Sequence, residues 1–293
     1  MIKIEHLSKK YGKKMVLDDI NLEIKNGMYG LLGKNGAGKT TLMKILATLI
    51  NATNGTIEIE EVPIKNKKKV RRLVGYMPQE FSFYPDFTCY EMLDYLLLLE
   101  GVSEAEERKE IILETLEQVN LLEEKRVKIK NLSGGMKRRL GIAQAIMTNP
   151  KVLIVDEPTV GLDPEERVRF RNLLSNLAKE RIVLLSTHIV ADIENTCENI
   201  GILQKGKLIY NGSMKNLIHT AQGFVWSVIF EEAEWEQIKE TAGIDMNKVQ
   251  SIKSNEGKVT VRFVSKEKLW EHAESAEPTL ENAYLCYSSQ LMS

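Results

Sequence analysis

Cysteine is scarce: Cys89, Cys197 and Cys286 are odd in number and far apart in 293 residues. They offer neither a disulfide framework nor the close spacing of a thiolate metal site. The histidines, at positions 6, 188, 219 and 272, are as scattered and form no metal-ligand spacing. Net charge is missing too, since 40 basic residues offset 41 acidic ones. A formal charge of −1 supplies no polyelectrolyte drive toward DNA or RNA, so no nucleic-acid partner is expected. No apolar run approaches the roughly 18 residues of a membrane span. The opening Met-Ile-Lys-Ile-Glu-His lacks the apolar core of a signal peptide, and no internal repeat is visible. These absences lead to the expectation of a cytoplasmic globular protein, long enough for one large domain and a smaller one.

What the chain does have is Gly33-Lys34-Asn35-Gly36-Ala37-Gly38-Lys39-Thr40-Thr41, which fits the phosphate-loop pattern G-x-x-x-x-G-K-[ST]. Glycines let the backbone turn tightly and approach an anion without a Cβ in the way. Successive N–H groups then face one concavity and hold a phosphate, and a helix starting near Lys39 adds its positive dipole end. Lys39 can reach the β- and γ-phosphate oxygens, and the Thr40 hydroxyl is placed for Mg²⁺. The flanks agree: Met28–Leu32 reads as a buried strand, and Leu42, Ile45, Leu46 and Leu49 fall at helical spacing in a helix to about Ile50.

Along the rest of the chain, residues 2–7 read as a strand, Tyr11-Gly12 as a turn and 15–25 as one or two strands. Thr56–Ile59 reads as another strand. Residues 65–72 hold six basic side chains, read as a solvated loop or helix start, with anionic lipid as the functional alternative. Val74–Met77 is strand-like and is followed by Pro78 and Gln79. The aromatic stretch Phe81–Phe87 is local core or a docking surface. Residues 88–100 and 104–120 read as helices, with Ser103 and Glu106 as a capping box and Ile112, Leu116 and Val119 as an apolar stripe. Asn131-Leu-Ser133-Gly134-Gly135-Met136 opens a helix to about Thr148, a second potential anion site. Val152–Val155 is a buried strand ending in Asp156 and Glu157, whose side chains should lead in different directions; one suits a Mg²⁺ shell and the other an attacking water. Gly161-Leu-Asp163-Pro164 leads into a helix from about Glu165 to Lys179, with Pro164 near its first turn. Ile182–Ser186 is another strand, after which His188 stands at a sheet edge where ligands bind. A helix at 190–198 and a hairpin at 200–210 bring this part to its end near residue 214. The remainder reads as a small α+β domain: strand 223–230, helix 232–241, a hairpin of 248–253 and 258–264 around Asn255-Glu256-Gly257, a short helix at 266–273 and a last helix from Pro278.

Phosphate loop, Gln79, Leu132-Ser-Gly-Gly135, Val152–Glu157 and His188, in this order, resemble the ATP-binding cassette (ABC) ATPase domain. The resemblance implies an α/β P-loop NTPase over residues 1–214, with a mixed or parallel core sheet, an antiparallel β subdomain and a helical subdomain at about 86–148. Residues 215–293 would be a small C-terminal α+β domain. By the same resemblance ATP and Mg²⁺ are the cofactors. Tyr11 would stack on adenine, and Gly33, Lys34, Asn35, Gly36, Ala37, Gly38, Lys39, Thr40 and Thr41 would cradle the phosphates. Thr40, Gln79 and Asp156 would serve the metal. Glu157 would be the general base, assisted by His188, Gln79 and Lys39. Ser133, Gly134 and Gly135 would bind the γ-phosphate held by another chain, and Asp163 would cross that interface.

Met136 departs from the general pattern, which has glutamine there. With Glu157-Pro-Thr-Val-Gly-Leu-Asp-Pro164 and Pro278-Thr-Leu-Glu281 it resembles the ATPases that serve ABC-2 type exporters. The resemblance implies a head-to-tail pair of chains, most simply a homodimer, driving a separate integral membrane permease from the cytoplasmic face of the membrane. The alternative is a soluble ABC ATPase acting in protein or cofactor assembly without a permease.

Overall fold

The structure is a computed structural model and describes residues 1–241, 249–255, 257–289 and 291. The chain divides into two compact units, residues 1–208 and 209–293.

In the first unit an antiparallel sheet is built from β1 (Ile2–Tyr11), β2 (Lys14–Ile24), β4 (Asn54–Ile59) and β5 (Val62–Pro63), in the order β2-β1-β4-β5. Ile20, Leu22 and Ile24 alternate inward along β2, as a half-buried strand requires. Leu17 keeps to the same face although it lies an odd three positions before Ile20, because Asp19 takes a left-handed backbone (φ 53°) and shifts the register.

The second sheet joins β3 (Gly27–Leu32), β6 (Val74–Met77), β7 (Val152–Asp156), β8 (Ile182–Thr187), β9 (Asn199–Gln204) and β10 (Lys207–Ser213), in the order β10-β9-β3-β8-β7-β6. Pairing is parallel from β9 through β3, β8 and β7 to β6. Every residue of β7 and β8 is buried, the continuous apolar reading of strands covered on both faces. Helices α1 (Lys39–Leu46), α2 (Lys67–Leu73), α6 (Pro164–Leu177) and α7 (Val190–Glu194) connect these strands, while α3 (Cys89–Leu99), α4 (Ala105–Gln118) and α5 (Gly134–Ile146) pack on one another.

Some boundaries differ from the sequence reading for identifiable reasons. α1 stops at Leu46 rather than near Ile50: Thr48 turns left-handed (φ 60°), and its hydroxyl accepts from Arg71 Nε at 2.9 Å. Leu49 is therefore exposed instead of extending the apolar stripe. The basic stretch forms α2, capped by Asn66 and anchored by buried Val70. The capping box expected at Ser103 and Glu106 is absent. α4 starts one residue later, from Glu104 without a side-chain cap, because Arg108 pairs with Asp94 and takes the Ser103 carbonyl at 2.7 Å. A capping box is instead present at Thr88 and Glu91, opening α3. α7 is shorter than the span 190–198, ending at Glu194.

The second unit holds a sheet in the order β12-β13-β11-β14, from β11 (Val225–Glu231), β12 (Val249–Asn255), β13 (Lys258–Val264) and β14 (Glu274–Ser275). Its helices are α8 (Met214–Thr220), α9 (Glu232–Thr241) and α10 (Leu280–Ser288). Phe230, Trp235, Val261 and Phe263 form its core. No helix forms at 266–273. That segment turns so that Trp270 sets its ring edge-on against Phe230 and Phe263, and β14 then pairs with β11. Lys248 and Glu256, which fell within the expected hairpin, lie outside the described residues.

Candidate functional site

Strand register assembles the site. Leu32 pairs with Thr187 and Asp156 with Ser186, so the segments leaving β3, β7 and β8 emerge side by side. This is the C-terminal edge of a parallel sheet, where α/β folds bind ligands. Gly33 donates its N–H to the Thr187 carbonyl at 3.3 Å, and Glu157 donates to the Ser186 carbonyl at 3.0 Å. The loop after β3 needs its glycines. Gly38 has φ +113°, and a Cβ there would stand 2.9 Å from the Val16 carbonyl; one on Gly33 would stand 2.4 Å from that of Leu203.

A cavity of 580 Å³ opens above this edge. Asn35, Gly36, Gly38, Lys39, Thr40 and Thr41 line it from the loop and α1, Gln79 from the segment after β6, and Glu157 from the end of β7. Lys39 Nζ donates to the Gly33 carbonyl at 2.6 Å and stands 3.0 Å from Glu157 Oε1, with both side chains almost wholly buried. The other carboxylate oxygen of Glu157 is 2.7 Å from His188 Nδ1. Glu157 itself sits in the left-handed region (φ 48°). A non-glycine residue held there is strained by the surrounding structure, which is common at functional sites.

Asp156 leads elsewhere. Its Oδ1 accepts the Ser186 hydroxyl, while Oδ2 is buried without a hydrogen-bond partner. An orphaned carboxylate oxygen at the end of β7, taken with the Thr40 hydroxyl and the Gln79 side-chain oxygen on the cavity lining, is a hard-oxygen donor set of the kind Mg²⁺ takes, so the residue types present fit that ion.

The other sequence-selected residues stand outside the cavity lining. Ser133 caps α5, accepting from the Met136 N–H at 3.2 Å, and Asp163 caps α6, accepting from the Glu166 N–H at 2.9 Å. Gly134 faces open space, whereas Gly135 is packed against the Glu166 carboxylate. Tyr11 is exposed at the end of β1 with Lys9 Nζ 4.9 Å from its ring centroid. Lys34 contributes its carbonyl to Lys39 at 3.4 Å, and Ala37 is buried, its carbonyl accepting from the Gly206 N–H at 3.0 Å.

Several participants carry no sequence signal. Lys14, Met15 and Val16 line the cavity beside Lys205 and Gly206, which the sequence marks only as a hairpin turn. Asp192, buried in α7, accepts from the hydroxyls of Thr159 and Thr187 and so ties down the loops that follow β7 and β8. Nothing in the sequence marks Asp192 for this role. The three cysteines take no part; burial pushes Cys89 and Cys286 up to about 11 and Cys197 to about 12, so each stays a neutral thiol at physiological pH.

Comparison with known proteins adds independent findings. Residues 17–160 match the family model described as ABC transporter. The chain is 38% identical over 233 residues to the uncharacterized ABC transporter ATP-binding protein YxlF of Bacillus subtilis (strain 168), covering 79% of this chain and 77% of that protein. It is 41% identical over 213 residues to the bacitracin transport ATP-binding protein BcrA of Bacillus licheniformis, covering 71% of this chain and 68% of the relative. Among solved structures it is similar to the dimeric post-hydrolysis state of the ATP-binding cassette MJ0796 bound to ADP and Pi. The TM-score there is 0.65 at 28% identity, covering 73% of this chain and 98% of that one.

Proposed function

The chain belongs to the ABC transporter family as one of its ATP-binding proteins, and from that premise we propose that two identical copies hydrolyse ATP to drive a separate exporter permease from the cytoplasmic face of a membrane. One observation carries the reading. The cavity gathers Lys39, Thr40, Gln79 and Glu157, whereas Ser133 and Gly135 lie outside it. Each chain then holds half of a site, and a second copy supplies the missing half.

Lys39 stands between two duties. Without nucleotide it is held by the Gly33 carbonyl and by Glu157. A triphosphate competes for the ammonium with several oxygens at once. As Lys39 turns to the phosphate, Glu157 Oε1 is released to take a proton from water, and His188 keeps the carboxylate aimed through Oε2. General-base catalysis of this kind contributes about 10²–10⁴ in rate. Thr40, Gln79 and Asp156 would hold Mg²⁺, which when bound offsets charge on the phosphate oxygens. Ser133 and Gly135, at the N-terminus of α5, would close over the γ-phosphate of the opposite chain with N–H donors and helix dipole.

The relative named for bacitracin transport supports a transport role, and one named for Nod factor export supports its outward direction. Among the described residues no helix is long and apolar enough to cross a membrane, so the path through the bilayer is assigned to another protein. Tyr84, Tyr95, Leu98 and Leu99 leave apolar surface exposed along α3 and the segment leading to it, close in sequence to Gln79. Exposed apolar patches beside polar surface mark partner contacts, and this one suits the cytoplasmic helix of a permease.

The test is affinity purification of the tagged full-length chain from detergent-solubilised membranes of its own source. A polytopic membrane protein in near-equal amount is the expected result. Recovery from the soluble fraction alone, with soluble partners, would contradict the permease and favour an assembly ATPase.

A further inference from the structure

Arg138, on the second turn of α5, makes contacts that the reading so far does not use. Its Nη1 donates to the Gln79 carbonyl at 2.8 Å, and its Nη2 reaches the Val160 carbonyl at 3.4 Å. The guanidinium also lies 5.7 Å from the centre of the Phe81 ring, within cation–π range. That ring rests on Gly141, one helical turn further along the same face of α5, where an added Cβ would come within 2.7 Å of it. Neighbouring Arg139 turns elsewhere, donating to the Asn120 carbonyl at 2.9 Å and pairing with Glu166.

We propose that Arg138 is a positioning residue that fastens both the Gln79 segment and the loop after Glu157 to the helix carrying Ser133 and Gly135, so that events at the γ-phosphate of one site move the surface offered to the other. The inference rests on the two-chain ATPase reading. Gln79 lines the cavity while its own carbonyl is held by α5. A ligand that draws Gln79 inward therefore pulls on α5. Val160 lies between Glu157 and Asp163, so the same guanidinium feels the strand end that bears the base. The fork geometry matters: a guanidinium can donate to two separate carbonyls at once, while an ammonium on a lysine stem cannot span both. Burial disfavours the charged form of Arg138, so the carbonyls and the ring face are what hold the charge in place.

The experiment compares full-length wild type with Arg138→Met and Arg138→Lys in ATP hydrolysis over a range of ATP concentrations, alongside direct titration of ATP binding. Misplacement of a catalytic segment costs up to about hundredfold. Arg138→Met should bind ATP with wild-type affinity, lose about tenfold to hundredfold in kcat and shift its Hill coefficient toward unity, with Arg138→Lys in between. Unchanged kcat and cooperativity would overturn the proposal, as would a loss of ATP affinity that accounts for the whole fall in rate. Where Arg138→Met does not fold, Arg138→Lys decides by the same criteria. A wild-type chain that turns over no ATP would overturn instead the reading on which the proposal stands.

Discussion

Lys39 and Glu157 form a buried ion pair at the floor of the cavity, each about 4% exposed. Two charges out of water stabilise little while paired, but breaking such a pair leaves an uncompensated charge at a cost of about 3–5 kcal/mol. Lys39→Ala should therefore act twice. Losing charge-assisted bonds to phosphate, each of about 1.5–3 kcal/mol, lowers ATP affinity tenfold to hundredfold or more. The nucleotide-free chain should also melt below wild type, and adding Glu157→Gln should recover part of that loss. Calorimetric titration with ATP and thermal melts of the single and double variants check both; wild-type affinity with a wild-type melt would remove Lys39 from this role. The sequence named Lys39, Glu157, His188 and Gln79 as site candidates but not the contacts among them. A motif specifies residue types in its own segment. The pairing of Lys39 with Glu157 depends instead on the register of β3, β8 and β7, which no local pattern contains.

At the scale of elements, two stretches compete for the same signature. Thr88-Cys-Tyr-Glu91 and Ser103-Glu-Ala-Glu106 both have the form of a capping box, and only the first becomes one. Arg108 explains the second: its bonds to Asp94 and to the Ser103 carbonyl set where α4 begins. Thr88→Ala should cost about 1 kcal/mol, the usual worth of an N-cap, while Ser103→Ala should be close to neutral. Denaturant unfolding of both variants measures this, and equal losses would contradict the assignment. Many strands and helices are readable from their own residues, as in the short continuous apolar runs of β7 and β8. Misreadings gather where a tertiary contact overrides the local signal: Arg71 on Thr48 ends α1, and Trp270 replaces the helix expected at 266–273. Gly75 shows a contact with no signal at all, for a Cβ there would fall 1.9 Å from the Ala145 carbonyl.

For the whole molecule, the parallel sheet is what turns scattered motifs into a site. The sequence order β3, β6, β7, β8 becomes the spatial order β3, β8, β7, β6, and four loops meet on one edge. The same arrangement leaves Ser133 and Gly135 outside the cavity, and this separation is the basis for expecting two chains to share each ATP. The most direct measurement is sedimentation of Glu157→Gln with and without Mg²⁺–ATP, with bound nucleotide assayed in parallel. The account predicts a monomer without nucleotide and a dimer with it, turnover reduced by about 10²–10⁴, and dissociation of that dimer, nucleotide still bound, when Ser133→Arg is added. A Glu157→Gln chain that is saturated with ATP yet remains monomeric, or one that hydrolyses ATP at the wild-type rate, would contradict it.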